Sequence, residues 1–133
     1  ARLHAAVRAA AAEDVVDAHP DGLDHRLVER GANLSGGQRQ RLGLARALHA
    51  DPPVLVLHDP TTAVDAATEA QLADGLAEAR RVAPRGTLLI TSSPALLRIT
   101  DRVVVIADGR VAAEGPHERL LASDARYREE TLR

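Results

Sequence analysis

The sequence predicts an α/β fold in which parallel strands and a C-terminal hairpin accompany a helical section. Short apolar runs at 54–57 and 87–91 have the length and composition of buried strands. Segments with helical periodicity precede and separate these runs, and such alternation is typical of layered α/β cores. The pair Asp108-Gly109, between apolar residues, is a strong hairpin signal.

Periodicity, capping residues and helix-ending Pro or Gly residues predict six helices. In chain order they cover 1–18, 36–50, about 66–82, a short helix opening at Ser93-Pro94, 117–122 and 124–132. The predicted strands cover 54–57, 87–91, 103–107 and a return strand from Val111. Since the first two strands are almost wholly apolar, we expect both of their faces to be buried.

The composition bounds the class of protein. With 133 residues the chain has the size of one domain, and Tyr127 is its single aromatic residue, expected to anchor helix packing. Burial must rely on Leu, Val, Ile and Ala, which predicts a thin core and marginal stability. A net charge of −2 argues against nucleic-acid binding. The other histidines besides His58 are expected at the surface without clustering: His4, His19, His25, His49 and His117.

Residues 33–41, with the sequence NLSGGQRQR, have the features of an anion-binding loop. Two glycines expose peptide N–H groups at the positive end of a predicted helix. Ser35 and Gln38 have the spacing of a capping box. Arg39, Arg41 and Arg46 add positive charge, although we expect them to form a solvated face rather than ligand contacts.

The 33–41 string resembles the signature motif of ATP-binding-cassette (ABC) transporter nucleotide-binding domains. Further resemblances follow in the family's order: the segment before the signature in exporters at 21–24 and 29–31, the Walker B strand and D-loop at 54–65, the H-loop strand at 87–92, and the closing strands at 101–105 and 108–111. The resemblance implies a partial P-loop NTPase-like ABC ATPase core with part of the α-helical signature subdomain.

The family's P-loop string, G-x-x-x-x-G-K-[ST], does not occur, and the chain contains no Lys. The Q-loop stretch is also absent. We therefore expect residues 1–133 to be the C-terminal part of one ABC nucleotide-binding domain. About 1–50 would form the helical and signature section, and about 51–133 the Walker B, D-loop, H-loop and C-terminal section.

The resemblance assigns roles to the matching residues. Ser35, Gly36, Gly37 and Gln38 would donate hydrogen bonds in trans to the γ-phosphate of ATP held by another domain's P-loop. Asp65 matches the D-loop aspartate and is also expected to cap a helix.

Three other positions depart from the family pattern. His58 stands where the Walker B Asp supports Mg²⁺, and imidazole is a poor substitute for the oxygen ligands this cation prefers. Asp59 replaces the Glu that polarises water, and its carboxylate is set ~1 Å back, a displacement that can cost ~10²-fold. Ser92 replaces the H-loop His and does not take up a proton near neutral pH. These changes predict a degenerate site.

Two alternative sites for these residues are disfavoured. A Ser-His-Asp hydrolase would need His58 and Asp59 to converge, whereas consecutive strand residues should point to opposite sides. The G-x-S-x-G elbow is also missing. A zinc site at His58 lacks a second His or Cys at ligand spacing, so a structural or tolerated histidine is favoured.

The sequence thus predicts the ATP-binding part of an ABC exporter that couples ATP binding and hydrolysis to transport. The resemblance implies ATP and Mg²⁺ in the complete dimer, a second nucleotide-binding domain in a heterodimer, and transmembrane domains placing it at the cytoplasmic face of the cell membrane. Alternatives are a regulatory pseudo-ATPase without turnover and a soluble, non-transport ABC ATPase. The chain alone is expected to be inactive.

Overall fold

A computed structural model describes residues 1–82 and 84–132, and these form an α/β fold, as predicted. Two 3₁₀ turns, Gly22–Asp24 and Glu29–Gly31, precede the third helix. In chain order the elements are α1 Arg2–Ala9, α2 Glu13–Asp17, α3 Gly36–Ala50, β1 Val54–His58, α4 Ala66–Arg80, β2 Gly86–Ile90, α5 Pro94–Arg98, β3 Val103–Ala107, β4 Arg110–Gly115, α6 His117–Ser123 and α7 Ala125–Thr131.

The strands of the described residues form two pairs. β1 and β2 are parallel, joined through α4, with Val54 opposite Gly86 and His58 opposite Ile90. β3 and β4 form an antiparallel hairpin, which confirms the predicted turn. Asp108 and Gly109 have φ angles of +51° and +73° there, as the tightest hairpin turns require.

The expectation that β1 and β2 are buried on both faces is wrong. Leu55 faces the helices and is buried, but Val54 is 65% exposed and Val56 is 57% exposed. On β2, Leu88 and Ile90 are also exposed on the same face. The reason is that the helices of the main core pack against one face of this pair, where Leu57 and Leu89 join Leu55.

The hydrophobic core of the described residues has two parts. The larger part packs α1, α3 and α4 against β1 and α5, and Leu72, Leu76 and Leu96 are almost fully buried there. The smaller part gathers Leu97, Val103, Leu120 and Tyr127 around the hairpin and the last two helices. The smaller cluster packs α6 and α7 against the hairpin.

The predicted helix 1–18 is wrong in one respect, since it is broken between α1 and α2. Ala11 adopts a left-handed conformation with φ of +49°, and the Ala12 N–H donates to the Val7 carbonyl at 3.0 Å. The guanidinium of Arg41 stabilises this break by donating to the Ala11 carbonyl and to both oxygens of Asp14. Arg41 is therefore not part of a solvated face, since its side chain is only 11% exposed.

The histidines do not all lie apart at the surface. His4 and His49 are exposed as expected, but the rings of His19 and His25 stack with centroids 3.8 Å apart. His117 is buried, and its Nδ1 lies 2.7 Å from the Tyr127 hydroxyl. Burial, reinforced by the charge of Glu118, raises the pKa of Tyr127, which packs as the anchor that the sequence predicted.

Candidate functional site

The capping box at the start of α3 is present as predicted. The Ser35 Oγ accepts a hydrogen bond from the Gln38 N–H at 3.2 Å, and the Gln38 Oε1 accepts from the Ser35 N–H at 2.8 Å. The sequence dictates this locally, because Ser and Gln three residues apart satisfy each other's backbone donors. The reciprocal bonds fix the loop that presents Gly36 and Gly37.

The capping box engages the backbone N–H groups of Ser35 and Gln38 and leaves the other donors of this loop outside it. A hydroxyl can accept and donate at once, so Ser35 retains its O–H, and Gln38 retains its amide NH₂ group. The N–H groups of Gly36 and Gly37 lie in the first helical turn, where intrahelical acceptors do not exist. Donors at the positive end of a 15-residue helix favour an anion.

Residues 60–65, here termed the 60–65 loop, lie directly behind the glycines. The Ala63 carbonyl approaches Gly37 so closely that a methyl group at position 37 would overlap it. The amide of Gln40 reaches the same loop, donating to the Thr62 Oγ1 at 2.7 Å and accepting from the Ala63 N–H at 3.0 Å. No sequence pattern indicated this role of Gln40, because its partners lie more than 20 positions along the chain.

Asp65 ends this loop and caps α4, as predicted. Its Oδ1 accepts from the Thr68 N–H at 3.0 Å, and its Oδ2 accepts from the Thr68 hydroxyl at 2.8 Å. The backbone bond from Thr68, followed by the hydroxyl bond, lowers the pKa of Asp65. Asp65, which the sequence matches to the D-loop aspartate, is therefore an ionised cap of α4 at the end of the loop that lies against α3.

The remaining three predicted site residues lie at one edge of the parallel pair. His58 ends β1 opposite Ile90, and Ser92 follows two residues after that end of β2. Within 1–82 and 84–132, no hydrogen bond joins the Ser92 side chain to His58 or Asp59. Ser92 is exposed, and it lies near this edge of the pair without a hydrogen bond to either of the other two residues.

The expectation that His58 and Asp59 point to opposite sides is wrong. The His58 Nε2 lies 3.4 Å from the Asp59 Oδ2. Strand alternation does not apply, because Asp59 leaves the strand with φ of +43° while its N–H donates to the Ile90 carbonyl at 2.9 Å. The left-handed turn brings the Asp59 carboxylate back towards the imidazole. A Ser-His-Asp hydrolase is still disfavoured, because no serine is hydrogen-bonded to His58 among the described residues.

The donor set does not fit a resident Mg²⁺ ion. Across the described ranges, no group of three or more His, Cys, Asp or Glu residues is arranged to hold a metal. At the strand edge the available groups are one imidazole and one carboxylate that face each other. Mg²⁺ prefers several oxygen ligands, so these residues supply no metal site by themselves.

Comparison with known proteins gives a consistent result. The family model described as ABC transporter matches residues 4–62. An ATP-dependent lipid A-core flippase of Cupriavidus pinatubonensis is 42% identical over 96% of this chain, and a mitochondrial potassium channel ATP-binding subunit of Pongo abelii is also 42% identical over 96%. A bacterial Atm1-family ABC exporter with ATP bound superposes over 97% of the chain, with 35% identity and a TM-score of 0.81.

This chain spans about a fifth of the length of those proteins, covering 21% of the flippase, 17% of the potassium channel subunit and 22% of the exporter. In the part of the chain that the structure describes, no helix has the length and apolar character needed to cross a bilayer. The α/β fold with its parallel pair and antiparallel hairpin matches part of an ABC ATPase domain. The chain therefore belongs to the ABC transporter family.

Proposed function

We propose that this chain is the C-terminal part of an exporter's nucleotide-binding domain, and that its signature loop acts on ATP held by a second domain. Residues 1–50 would supply the signature section, and residues 51–133 the Walker B, D-loop, H-loop and C-terminal section. Transmembrane domains and the second nucleotide-binding domain would place it at the cytoplasmic face of the membrane. ATP and Mg²⁺ would be bound by the complete dimer.

The observation that carries this proposal is the set of donors that the capping box leaves unused at the start of α3: the Ser35 hydroxyl, the Gly36 and Gly37 N–H groups and the Gln38 amide. The capping box consumes only the backbone N–H groups of Ser35 and Gln38, so these remaining donors are available to a ligand. A terminal phosphate offers several acceptor oxygens and negative charge, which this arrangement complements. The resemblance of 33–41 to the family's signature motif implies that this phosphate belongs to ATP held by the P-loop of a second domain.

A degenerate site beside Asp59 is the second part of the proposal. The Asp59 carboxylate faces the His58 imidazole at 3.4 Å, so one of its oxygens has a ring nitrogen beside it where water or a cation would otherwise approach. Ser92 offers a hydroxyl where proton transfer would need a group that titrates near neutral pH. These features favour a heterodimer in which the partner's competent site carries turnover with this chain's signature.

The test uses the polypeptide that carries this chain, coexpressed with its partner domain. Ser35→Arg puts a bulky side chain into the donor loop and is expected to abolish ATP turnover. Asp59→Asn removes the carboxylate and is expected to lower turnover less than twofold, because this site contributes little. Asp108→Asn is the matched control, since Asn tolerates the left-handed hairpin position.

The two arms separate the possible outcomes. A loss of turnover from Asp59→Asn as severe as that from Ser35→Arg would overturn the asymmetry. Absence of turnover in the unmodified assembly would favour the regulatory pseudo-ATPase instead. For the 133-residue chain alone, calorimetry is expected to detect weak ATP binding or none, and a micromolar dissociation constant would contradict the proposal.

A further inference from the structure

The side-chain amide of Gln40 joins the signature helix to the 60–65 loop. Both of its functions are engaged, since Nε2 donates to the Thr62 Oγ1 and Oε1 accepts from the Ala63 N–H. Gln40 lies three and four positions after Gly37 and Gly36, so all three share one face of α3. That face meets the 60–65 loop, where Ala63 contacts both glycines.

The same loop is held from its other side by α4. Thr61 is buried, and its hydroxyl donates to the Glu69 Oε1 at 2.5 Å. Asp65 caps α4 through Thr68. The loop is thus fastened to two helices, and Gln40 supplies the polar side-chain contacts on the α3 side.

We infer that Gln40 is a positioning residue that makes the signature loop and the 60–65 loop move together, so that a change at Ser35 is transmitted to Asp65. The contact between Gln40 and the 60–65 loop is observed in the structure, whereas its consequence for ATP turnover rests on the proposed function. Gln40 would not touch the nucleotide. It would keep the loop that ends at Asp65 in register with the donors at the start of α3.

Hydrogen exchange of the 133-residue chain, followed at single amides by NMR, tests the contact. Gln40→Met keeps a similar length and helix propensity but makes neither bond. Exchange of the Ala63 N–H is expected to accelerate about two- to tenfold, as loss of a hydrogen bond predicts. Exchange at Leu72 and Leu76, in the centre of α4, should remain unchanged.

Three further variants sharpen this measurement. Gln71→Met is the matched control on the exposed side of α4 and should leave the Ala63 amide unaltered. Gln40→Glu should behave like the unmodified chain, because a carboxylate can accept from both the Ala63 N–H and the Thr62 hydroxyl. Thr62→Ala removes one of the two bonds, so its effect should be smaller than that of Gln40→Met.

Transmission is tested by combining substitutions. Ser35→Ala is expected to shift the amide resonances of Val64 and Asp65, and Gln40→Met should abolish that shift. Equal exchange at Ala63 in the Gln40→Met and Gln71→Met variants would overturn the inference. So would acceleration throughout α4 in Gln40→Met, since this would indicate a general loss of stability.

The functional arm uses the same assembly as the Ser35→Arg experiment. Gln40→Met should lower kcat about tenfold, within the cost of displacing a site by less than an ångström, and leave KM for ATP within about twofold. A raised KM with unchanged kcat would contradict a positioning role. If Gln40→Met accelerates Ala63 exchange but the assembly does not hydrolyse ATP, only the proposed function is refuted. If Ser35→Arg abolishes turnover but Ala63 exchange is unchanged in Gln40→Met, only the inference about Gln40 is refuted.

Discussion

The Ala63 carbonyl oxygen rests against Gly37, where a side chain has no room. Gly37→Ala is therefore expected to destabilise the fold by about 1–3 kcal/mol, since backbone on the opposite side must shift to admit a methyl group. Urea denaturation of the chain measures the change.

Two other glycines of α3 provide controls for that substitution. A methyl group at Gly36 would meet the Ala63 Cβ at an ordinary 3.4 Å, and at Gly43 it would meet no atom within 4 Å. Gly43→Ala should stabilise the helix by about 0.5–1 kcal/mol. If Gly37→Ala were equally stabilising, close packing of the 60–65 loop on α3 would be refuted.

The pairing of Asp14 with Arg41 predicts a loss of stability in acid. The hydrogen bond from Arg41 lowers the pKa of Asp14 below its ordinary value. The carboxylate's contribution is therefore complete above the unfolded pKa of about 3.9 and is lost as the pH falls through the lower folded value. Asp14→Asn should flatten the dependence of the unfolding free energy on pH between about 5 and 2.

An Arg41→Met background identifies the cause of that acid dependence. Arg41→Met also removes the bond to the Ala11 carbonyl, so a cost of about 1–3 kcal/mol at neutral pH is expected. In this background Asp14→Asn should no longer alter the acid limb of the denaturation profile. Persistence of its full effect would assign the lowered pKa to another neighbour.

Tyr127 predicts a loss of stability in alkali. Burial raises its pKa, so the neutral phenol is the form that the folded state favours. Its contribution is complete below the unfolded pKa of about 10 and is lost as the pH rises through the higher folded value. Tyr127→Phe should cost about 0.5–1.5 kcal/mol at pH 7 through the lost His117 bond, and its deficit should shrink above about pH 10.

Denaturant midpoints measured from pH 7 to 11 decide this point. The Phe variant keeps the ring that fills the smaller core, which makes it a close steric match. Midpoints of the two proteins that fall in parallel throughout this range would show that the Tyr127 hydroxyl does not govern the alkaline limb.

Arg80 links the N-terminal ends of β1 and β2 by hydrogen bonds. Its guanidinium donates to the carbonyls of Pro52 and Gly86 at 2.9 and 2.8 Å and to the Thr87 hydroxyl at 3.1 Å, while its side chain is 5% exposed. Lysine has no planar set of donors to repeat this pattern. Arg80→Lys is expected to lower the unfolding free energy by about 2–4 kcal/mol.

The adjacent Arg81 provides the comparison. It is exposed and pairs with Glu78 at 2.8 Å one turn earlier in the helix. Arg81→Lys should change the unfolding free energy by less than about 0.5 kcal/mol, as exposed ion pairs contribute little. Comparable losses from the two substitutions, measured by thermal unfolding, would contradict a fastening role for Arg80.

What the sequence could predict depended on how local the determining contacts are. The Ser35–Gln38 capping box and the Asp108-Gly109 turn were predictable because each is decided within four residues. The break at Ala11 was not, since the Arg41 that stabilises it lies 30 positions away. The contact between His58 and Asp59 depends on the positive φ angle of Asp59, and the sequence alone does not determine the sign of that angle.

The fixed capping box at α3 has a kinetic consequence. Because its hydrogen bonds already hold the loop in one conformation, docking an oxyanion there should require little rearrangement of the peptide chain and little loss of conformational entropy. If the proposed function holds, differences among variants at this loop should appear mainly in how long the complex with a triphosphate lasts rather than in how fast it forms.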